Sequence, residues 1–533
     1  MSSPEAEKGA PKPLAVIDIG ANSVRMVVAQ VGADRRIEVL ERTQRAVRLG
    51  HDTFVTGRLS QRAMSAAIAI LRDYKKLFTT YGVESVRAVA TSAVREAANG
   101  DAFVDRVAMA VDLDLEVLDP AEESRLTVSA VRQAVRDALD VNRGRALLVD
   151  VGGGSTLLTM LEGGVIAASG SYALGSIRLR EHLAAAGEPP DRSADLLRHQ
   201  IANVAEAIKR SMPLDKVASF VAMGDDAQFA ARHAGEPVPS AEGVHTVGRK
   251  AFDRLVADCT RHPAERLSRK YALPFANAER LAPALLIYQA LLHATPVDPM
   301  IVCHVSMRDG LLLDMSRRVA GEEDPELAEN VVRSARSIGE KYRYDERHAE
   351  HVAGLAVRLF DALGKEHGLT PRHRLLLRVA GLLHEVGGFV SNRAHHKHSY
   401  YLIANSEIFG LRREEVQVVA EVARYHRRAS PKPTHLEYLT LPREDRIAVN
   451  KLAALLRVAD ALDRGHAQQV RDVRIETRPG ELVLYVQGVA DLALERRGIV
   501  EKGDMFEDTY GLKVRLEEDV APMADVRRAA AVE

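Results

Sequence analysis

The chain has 533 residues, long enough for three or four domains at ~150 residues each. Hydrophobic residues make up 46% and charged residues 28%, which argues against a disordered, collagen-like or membrane protein. Lys and Arg (73) balance Asp and Glu (74), which speaks against a globally basic nucleic-acid binder and leaves any anion site to local clusters.

The two cysteines, Cys259 and Cys303, form no CxxC, so a reducing compartment and no thiolate zinc site are expected. Without Trp there is little for bases to stack on, and no DNA partner is expected. No run of ~20 apolar residues occurs, so no spanning helix or membrane association is expected. Residues 1–13 are short, polar and Pro-containing, and read as a disordered leader on a cytoplasmic protein.

In chain order, the first feature is an internal echo. Ala15-Val16-Ile17-Asp18-Ile19-Gly20-Ala21-Asn22-Ser23 returns in outline as Leu147-Leu148-Val149-Asp150-Val151-Gly152-Gly153-Gly154-Ser155. Each copy is a buried-strand run that ends in Asp-x-Gly, turns through small residues and resumes an apolar run. Two such openings separated by helices predict two related α/β domains, over 14–140 and 141–320.

Between the copies, Ser60 caps a helix bearing Met64, Ala67, Ile68, Leu71 and Phe78 on one face. Val86–Ala90 and Leu115–Leu118 read as strands; Phe103–Ala110 and Glu122–Leu139 read as helices. After the second copy come helices over Ala202–Met212 and Asn277–Ala294, and strands over Phe220–Met223 and Met300–Val305. The character changes at Gly321-Glu322-Glu323-Asp324-Pro325, and 325–465 reads as a helical domain. Strands over Val473–Thr477, Leu482–Val486 and Lys513–Leu516 place a small α+β domain at 466–533.

An Asp at a strand end followed by a glycine turn suits phosphate and metal. Glycines let backbone N–H groups approach phosphate oxygens, and the carboxylate can hold Mg2+. Phosphoryl transfer to water also needs a group that orients the water and cations that neutralise charge. Glu122-Glu123, opening a helix, offers the first, although acidic residues are favoured in a first turn anyway. Arg95 offers the second.

Asp18-Ile19-Gly20-Ala21-Asn22-Ser23-Val24-Arg25, Ala90-Thr91-Ser92-Ala93-Val94-Arg95-Glu96-Ala97, Glu122-Glu123-Ser124-Arg125 and Asp150-Val151-Gly152-Gly153-Gly154-Ser155-Thr156 occur in that order. Together they resemble the exopolyphosphatase and guanosine pentaphosphate phosphohydrolase (Ppx/GppA) family in its long form. The resemblance covers Leu14 to about Asp314 and continues through Leu383-His384-Glu385-Val386-Gly387 and Arg424-Tyr425-His426-Arg427. It implies two actin-like (ribonuclease H-like) ATPase-fold domains followed by an all-α HD-like domain and the small α+β unit. It also implies a homodimer.

The implied chemistry is Mg2+-dependent hydrolysis of the terminal phosphate of inorganic polyphosphate, or of the 5′-γ-phosphate of pppGpp; another divalent metal could replace Mg2+. The family's catalytic residues fall on Glu123 and Arg95. Its phosphate-binding residues fall on Asn22, Ser23, Gly152, Gly153, Gly154 and Ser155. Its metal-binding Asp falls on Asp150, with Asp18 at the matching place in the first hairpin.

Two departures bear on turnover. The family's Glu after the glycine run is Leu157 here, which removes a charge and a ligand, so metal affinity should fall. A later glycine-rich phosphate turn reads Ala222-Met223-Gly224-Asp225-Asp226-Ala227, which adds negative charge. Both leave room for a regulator that binds polyphosphate or guanosine penta- or tetraphosphate with weak turnover.

Ten of the 19 histidines lie between His348 and His435. The order of His351, His384-Glu385, His426 and Asp460 resembles the HD phosphohydrolase superfamily, with Glu in place of the motif's Asp, and implies a degenerate HD site. Arg372-His373-Arg374, His395-His396-Lys397-His398 and Arg424–Arg428 with Lys432 are basic clusters that suggest a polyanion channel.

Overall fold

The structure is a computed structural model that describes residues 12–518, apart from 33–35, 137–138, 140, 142, 187–189, 320–324, 428, 433 and 490. The expected leader as far as residue 11, the boundary stretch 321–324, Arg428 and the chain beyond 518 lie outside the described residues. The chain divides into two compact units, Met1–Asp324 and Pro325–Glu533.

The first unit holds two sheets. One contains β1 (Lys12–Ile19), β2 (Ser23–Val31), β3 (Ile37–Ala46), β4 (Ser85–Ala90) and β5 (Leu115–Val117), in the order β3-β2-β1-β4-β5. The other contains β6 (Arg145–Val151), β7 (Thr156–Glu162), β8 (Val165–Tyr172), β9 (Ser219–Met223), β10 (Glu236–Pro237), β11 (Val244–Val247) and β12 (Met300–Cys303), in the order β10-β11-β12-β9-β6-β7-β8. β1 pairs antiparallel with β2 and parallel with β4. β6 repeats this arrangement, antiparallel with β7 and parallel with β9. The echo in sequence is therefore an echo in topology. Strand β1 starts at Lys12, so the last two residues of the expected leader belong to the sheet.

The apolar run of β1 is continuous because both faces of its sheet are covered. Ala15, Ile17 and Ile19 face a core with the helix Gln61–Tyr81. Leu14 and Val16 face Leu126, Met307 and Leu311 on the other side. Ser60 caps that helix, its hydroxyl accepting from the Ala63 N–H at 3.1 Å. The helix predicted from Glu122 begins at Pro120, with Asp119 as cap, and ends at Val135. Pro needs no N–H partner at a first helical position, which explains the earlier start.

Helix Pro120–Val135 leads from the first sheet to the second, and Met307–Val319 returns from the second and packs on the first. Where they cross, a Cβ on Gly310 would lie 2.0 Å from the Leu126 carbonyl oxygen, so only glycine permits the approach.

In the second unit, helices including Glu346–Ala362, Pro371–Leu383 and Arg443–Ala461 share one core with β13 (Val473–Arg478), β14 (Glu481–Val486) and β15 (Lys513–Glu518). Leu482, Phe506 and Leu516 pack in the same apolar cluster as Val352, Leu377 and Leu452. The expected division near 465 has no counterpart in this packing. Buried Arg457 reinforces the join, donating to the Tyr425 carbonyl (2.7 Å) and to Asp504 (2.9 Å). No helix of the described residues is long and apolar enough to cross a membrane. Cys259 and Cys303 are both free and buried.

Candidate active site

Both glycine turns close with the same backbone bond: the Gly20 N–H donates to Ser23 O (3.0 Å) and the Gly152 N–H to Ser155 O (2.9 Å). They approach each other closely. A Cβ on Gly153 would lie 3.2 Å from Ala21 Cβ and 2.7 Å from Ile177 Cδ1. The turns open on one cavity of about 450 Å³, walled by Asp18, Asn22, Ser23, Glu123, Asp150, Gly152, Gly153 and Ser155. The sequence-derived site thus gathers in one place, with two exceptions.

Gly154 does not line the cavity. A Cβ there would meet Phe54 Cζ at 2.1 Å, and its carbonyl accepts from Arg178 at 2.7 Å, so its smallness serves packing. Arg95 stands behind the wall rather than in it. Its guanidinium bonds Glu123 and the Leu118 carbonyl, which makes it the group that positions Glu123. The cations that line the cavity are Arg25, Arg42, Arg280 and Arg308. Against them stand Asp18, Glu123, Asp150, Asp225 and Asp309. Carboxylates outnumber guanidiniums, so an anionic ligand placed here would need the turn N–H groups and a cation to balance its charge.

The neighbouring glutamates Glu122 and Glu123 have opposite environments. Burial opposes the Glu122 charge, but Arg125 and Arg87 overcome it and hold its carboxyl down at about 2. Both arginines also reach Asp314, which makes this cluster structural. Glu123, 15% exposed, is pushed up to about 7 by burial, with Asp150 and Asp18 adding to the rise and Arg95 opposing it. A carboxylate poised near neutrality suits a general base. One helical turn on, the Thr127 hydroxyl also lines the cavity, buried and without a hydrogen-bond partner among the described residues.

Asp150 is pushed up to about 6, first by burial and then by Asp225, with Arg25 and Arg308 opposing. Its carboxylate accepts no hydrogen bond among the described residues and faces the cavity, an arrangement that fits a divalent cation. Asp18 fits less well alone, because Arg308 already donates to it at 2.9 Å. Gly224 has φ +92°, and a Cβ there would lie 3.2 Å from Asp150 Oδ1, so a side chain at this turn would be strained and would crowd that carboxylate.

Leu157, cross-strand from Asp150, is 7% exposed and lines the cavity where the expected carboxylate is missing. The Asp225-Asp226 pair adds less free negative charge than its sequence suggests. Burial disfavours the Asp225 charge, but Arg25 (2.7 Å) and Arg280 (3.2 Å) hold its carboxyl below the ordinary value. Asp226 is instead pushed up to about 6 by burial.

In the second unit, His384, Glu385, His426 and Asp460 come together, but His351 does not join them. His348, one turn earlier on the same helix, takes that place, with its Nδ1 on Asp463 Oδ2 at 2.8 Å. His395 joins as well, its Nε2 3.1 Å from His426 Nε2. Three of the expected channel residues pair with carboxylates: Arg372 with Glu415, Arg374 with Asp361 and Arg424 with Glu437.

The Ppx/GppA phosphatase family matches residues 27–319, and the Ppx/GppA phosphatase domain III matches 332–492. A guanosine-5'-triphosphate,3'-diphosphate pyrophosphatase of Vibrio campbellii is 26% identical over 426 residues, 78% of this chain and 80% of that protein. Its namesake from Aliivibrio fischeri strain ES114 is 24% identical over 453 residues, 83% of this chain and 86% of that protein. The crystal structure of an exopolyphosphatase from Cytophaga hutchinsonii superposes with a TM-score of 0.52 at 21% identity, covering 58% of this chain and 99% of that chain. That likeness shows a shared two-domain α/β fold.

Proposed function

The chain belongs to the Ppx/GppA phosphatase family, and from that premise we propose that its cavity removes the terminal phosphate of a phosphoanhydride chain, with inorganic polyphosphate as substrate and Mg2+ as metal. The observation that carries this reading is Glu123, poised near neutrality, opening on the same cavity as Asp150 and the two glycine turns.

In this reading Glu123 takes a proton from a water, whose oxygen attacks the terminal phosphorus. The bridging P–O bond breaks and the shortened chain leaves with its electron pair. Arg95 holds Glu123 toward that water. The N–H groups of the Gly20–Ser23 and Gly152–Ser155 turns, with the Ser23 and Ser155 hydroxyls, bind phosphate oxygens. Arg25, Arg280 and Arg308 offset charge as it develops. Asp150, assisted by Asp18, would hold Mg2+, which supplies Lewis-acid stabilisation of the phosphate oxygens.

A second reading, pppGpp as substrate, is favoured by the names of the curated relatives, which align through both units. Leu157 in the cavity wall favours slow turnover, as in a regulator that binds either ligand. The homodimer carried with the proposal rests on the resemblance, and the cytoplasmic location rests on the two free cysteines, which suit a reducing compartment.

Phosphate release from long-chain polyphosphate and from pppGpp, measured side by side with Mg2+, tests the proposal. Glu123→Gln should lower the rate by roughly 100-fold to 10,000-fold on the true substrate. Equal rates for wild type and variant would overturn Glu123 as the base.

A further inference from the structure

We propose that Asp225 is a built-in competitor of the substrate: its carboxylate occupies two arginines that a phosphoanhydride chain would use, so the chain binds by displacing it. The inference rests on the reading of this cavity as a phosphoanhydride site.

Asp225 opens the helix Asp225–Ala234, where free backbone N–H groups and the helix dipole favour an anion. Arg25 reaches it from β2 of the first sheet, and Arg280 from the helix Phe275–His293. Both guanidiniums converge on one oxygen, Asp225 Oδ2, at 2.7 Å and 3.2 Å. All three residues line the cavity that also holds Glu123, Asp150 and the two glycine turns.

The carboxylate serves this pair of cations incompletely. The Nε atoms of Arg25 and Arg280 are buried and have no hydrogen-bond partner among the described residues. One shared carboxylate oxygen leaves them so, whereas a phosphate presents more oxygens and suits the fork of a guanidinium. The bridge is also easier to open from one side. Asp225 is 45% exposed, Arg25 23% and Arg280 11%, so the anion can swing into water while the cations stay in the wall.

The competition sorts ligands by the number of phosphates they carry. A chain presents more oxygens to the turns and the arginines together than orthophosphate does, and so displaces Asp225 more readily. After cleavage the carboxylate returns to the arginines and favours release of the orthophosphate. A ligand that needs the open arrangement binds more weakly by the fraction of time it is open, and a minor arrangement is populated at roughly 0.1–10%.

The test is calorimetric titration of the full chain with methylenediphosphonate in Mg2+, a probe whose P–C–P bridge resists hydrolysis. Asp225→Asn keeps the shape and removes the charge, and should bind the probe at least about 10-fold tighter than wild type. Asp225→Glu should restore the wild-type affinity. Arg25→Met should cost only a few-fold in the wild type, where the arginine is already engaged, and about 10-fold more in the Asp225→Asn background, where it is free. A general loss of negative charge would not produce that coupling. Equal affinities in folded wild type and Asp225→Asn overturn the inference and leave the reading of the cavity standing. Failure of both to bind the probe overturns the two together. Should Asp225→Asn not fold, a loss of about 100-fold in Arg25→Met alone shows an arginine open to ligand and overturns the inference equally.

Discussion

The two glycine turns share a backbone and differ in what stands across from their aspartates. Opposite Asp18 is Arg25, and Arg308 donates to Asp18 as well. Opposite Asp150 is Leu157, and nothing donates to Asp150 among the described residues. One turn is furnished with cations and the other is left as a bare carboxylate, pushed up to about 6. A repeated hairpin has been divided between two tasks. In the proposed reading its backbone serves phosphate on both sides, while metal binding falls mainly to the second side.

The sharpest way to break this comparison is to neutralise each aspartate. Asp150→Asn should cost at least ~100-fold in kcat/KM and raise the Mg2+ concentration needed, whereas Asp18→Asn should cost about 10-fold. Steady-state kinetics across a Mg2+ series reads both, and equal losses would mean that the two turns share the metal evenly.

A smaller effect should come from restoring the missing carboxylate. Leu157→Glu should tighten Mg2+ by about 10-fold, the lower end of what partners around a metal site contribute. In EDTA the new charge beside Asp150 should lower Tm, and Mg2+ should restore it. A variant with unchanged Mg2+ dependence would show that Leu157 does not limit the enzyme.

The smallest effect concerns Glu123 in metal-free protein. Its folded pKa of about 7 lies above its ordinary value of 4.5, so the folded state holds the proton longer than the unfolded one. The stability this confers is full below about pH 4.5 and is lost as pH rises through about 7. Glu123→Gln, which keeps the neutral form, should therefore raise Tm in EDTA at pH 8 and leave it unchanged at pH 4. Thermal melts at the two pH values read the difference.

The hairpins were legible because their signal is local: an apolar strand, a carboxylate and glycines at fixed offsets. β3 was not, because Glu38, Glu41, Arg42 and Arg45 interrupt the alternation of an edge strand that wards off further pairing by its charge. Glu122 and Glu123 read alike in sequence, both being in a first helical turn. What separates them is Arg87 and Asp314, far away along the chain. Arg280 and Arg308 carried no signal, since a cation that reaches a cavity from a distant helix looks like any surface arginine. His348 and His351 lie three residues apart on one helix, and only Asp463 and Asp460 decide between them. Arg95 was found by its motif, yet its place behind Glu123 depends on Leu118, which spacing does not reveal.

The bare contact of Gly310 with the Leu126 backbone has a mechanical consequence. Leu126 follows Glu123 by three residues and Gly310 follows Arg308 by two, so the proposed base and the counter-ion of Asp18 are levered from a single pivot. An alanine at 310 would act as a wedge there, tilting both groups at once while touching neither the water nor the phosphate.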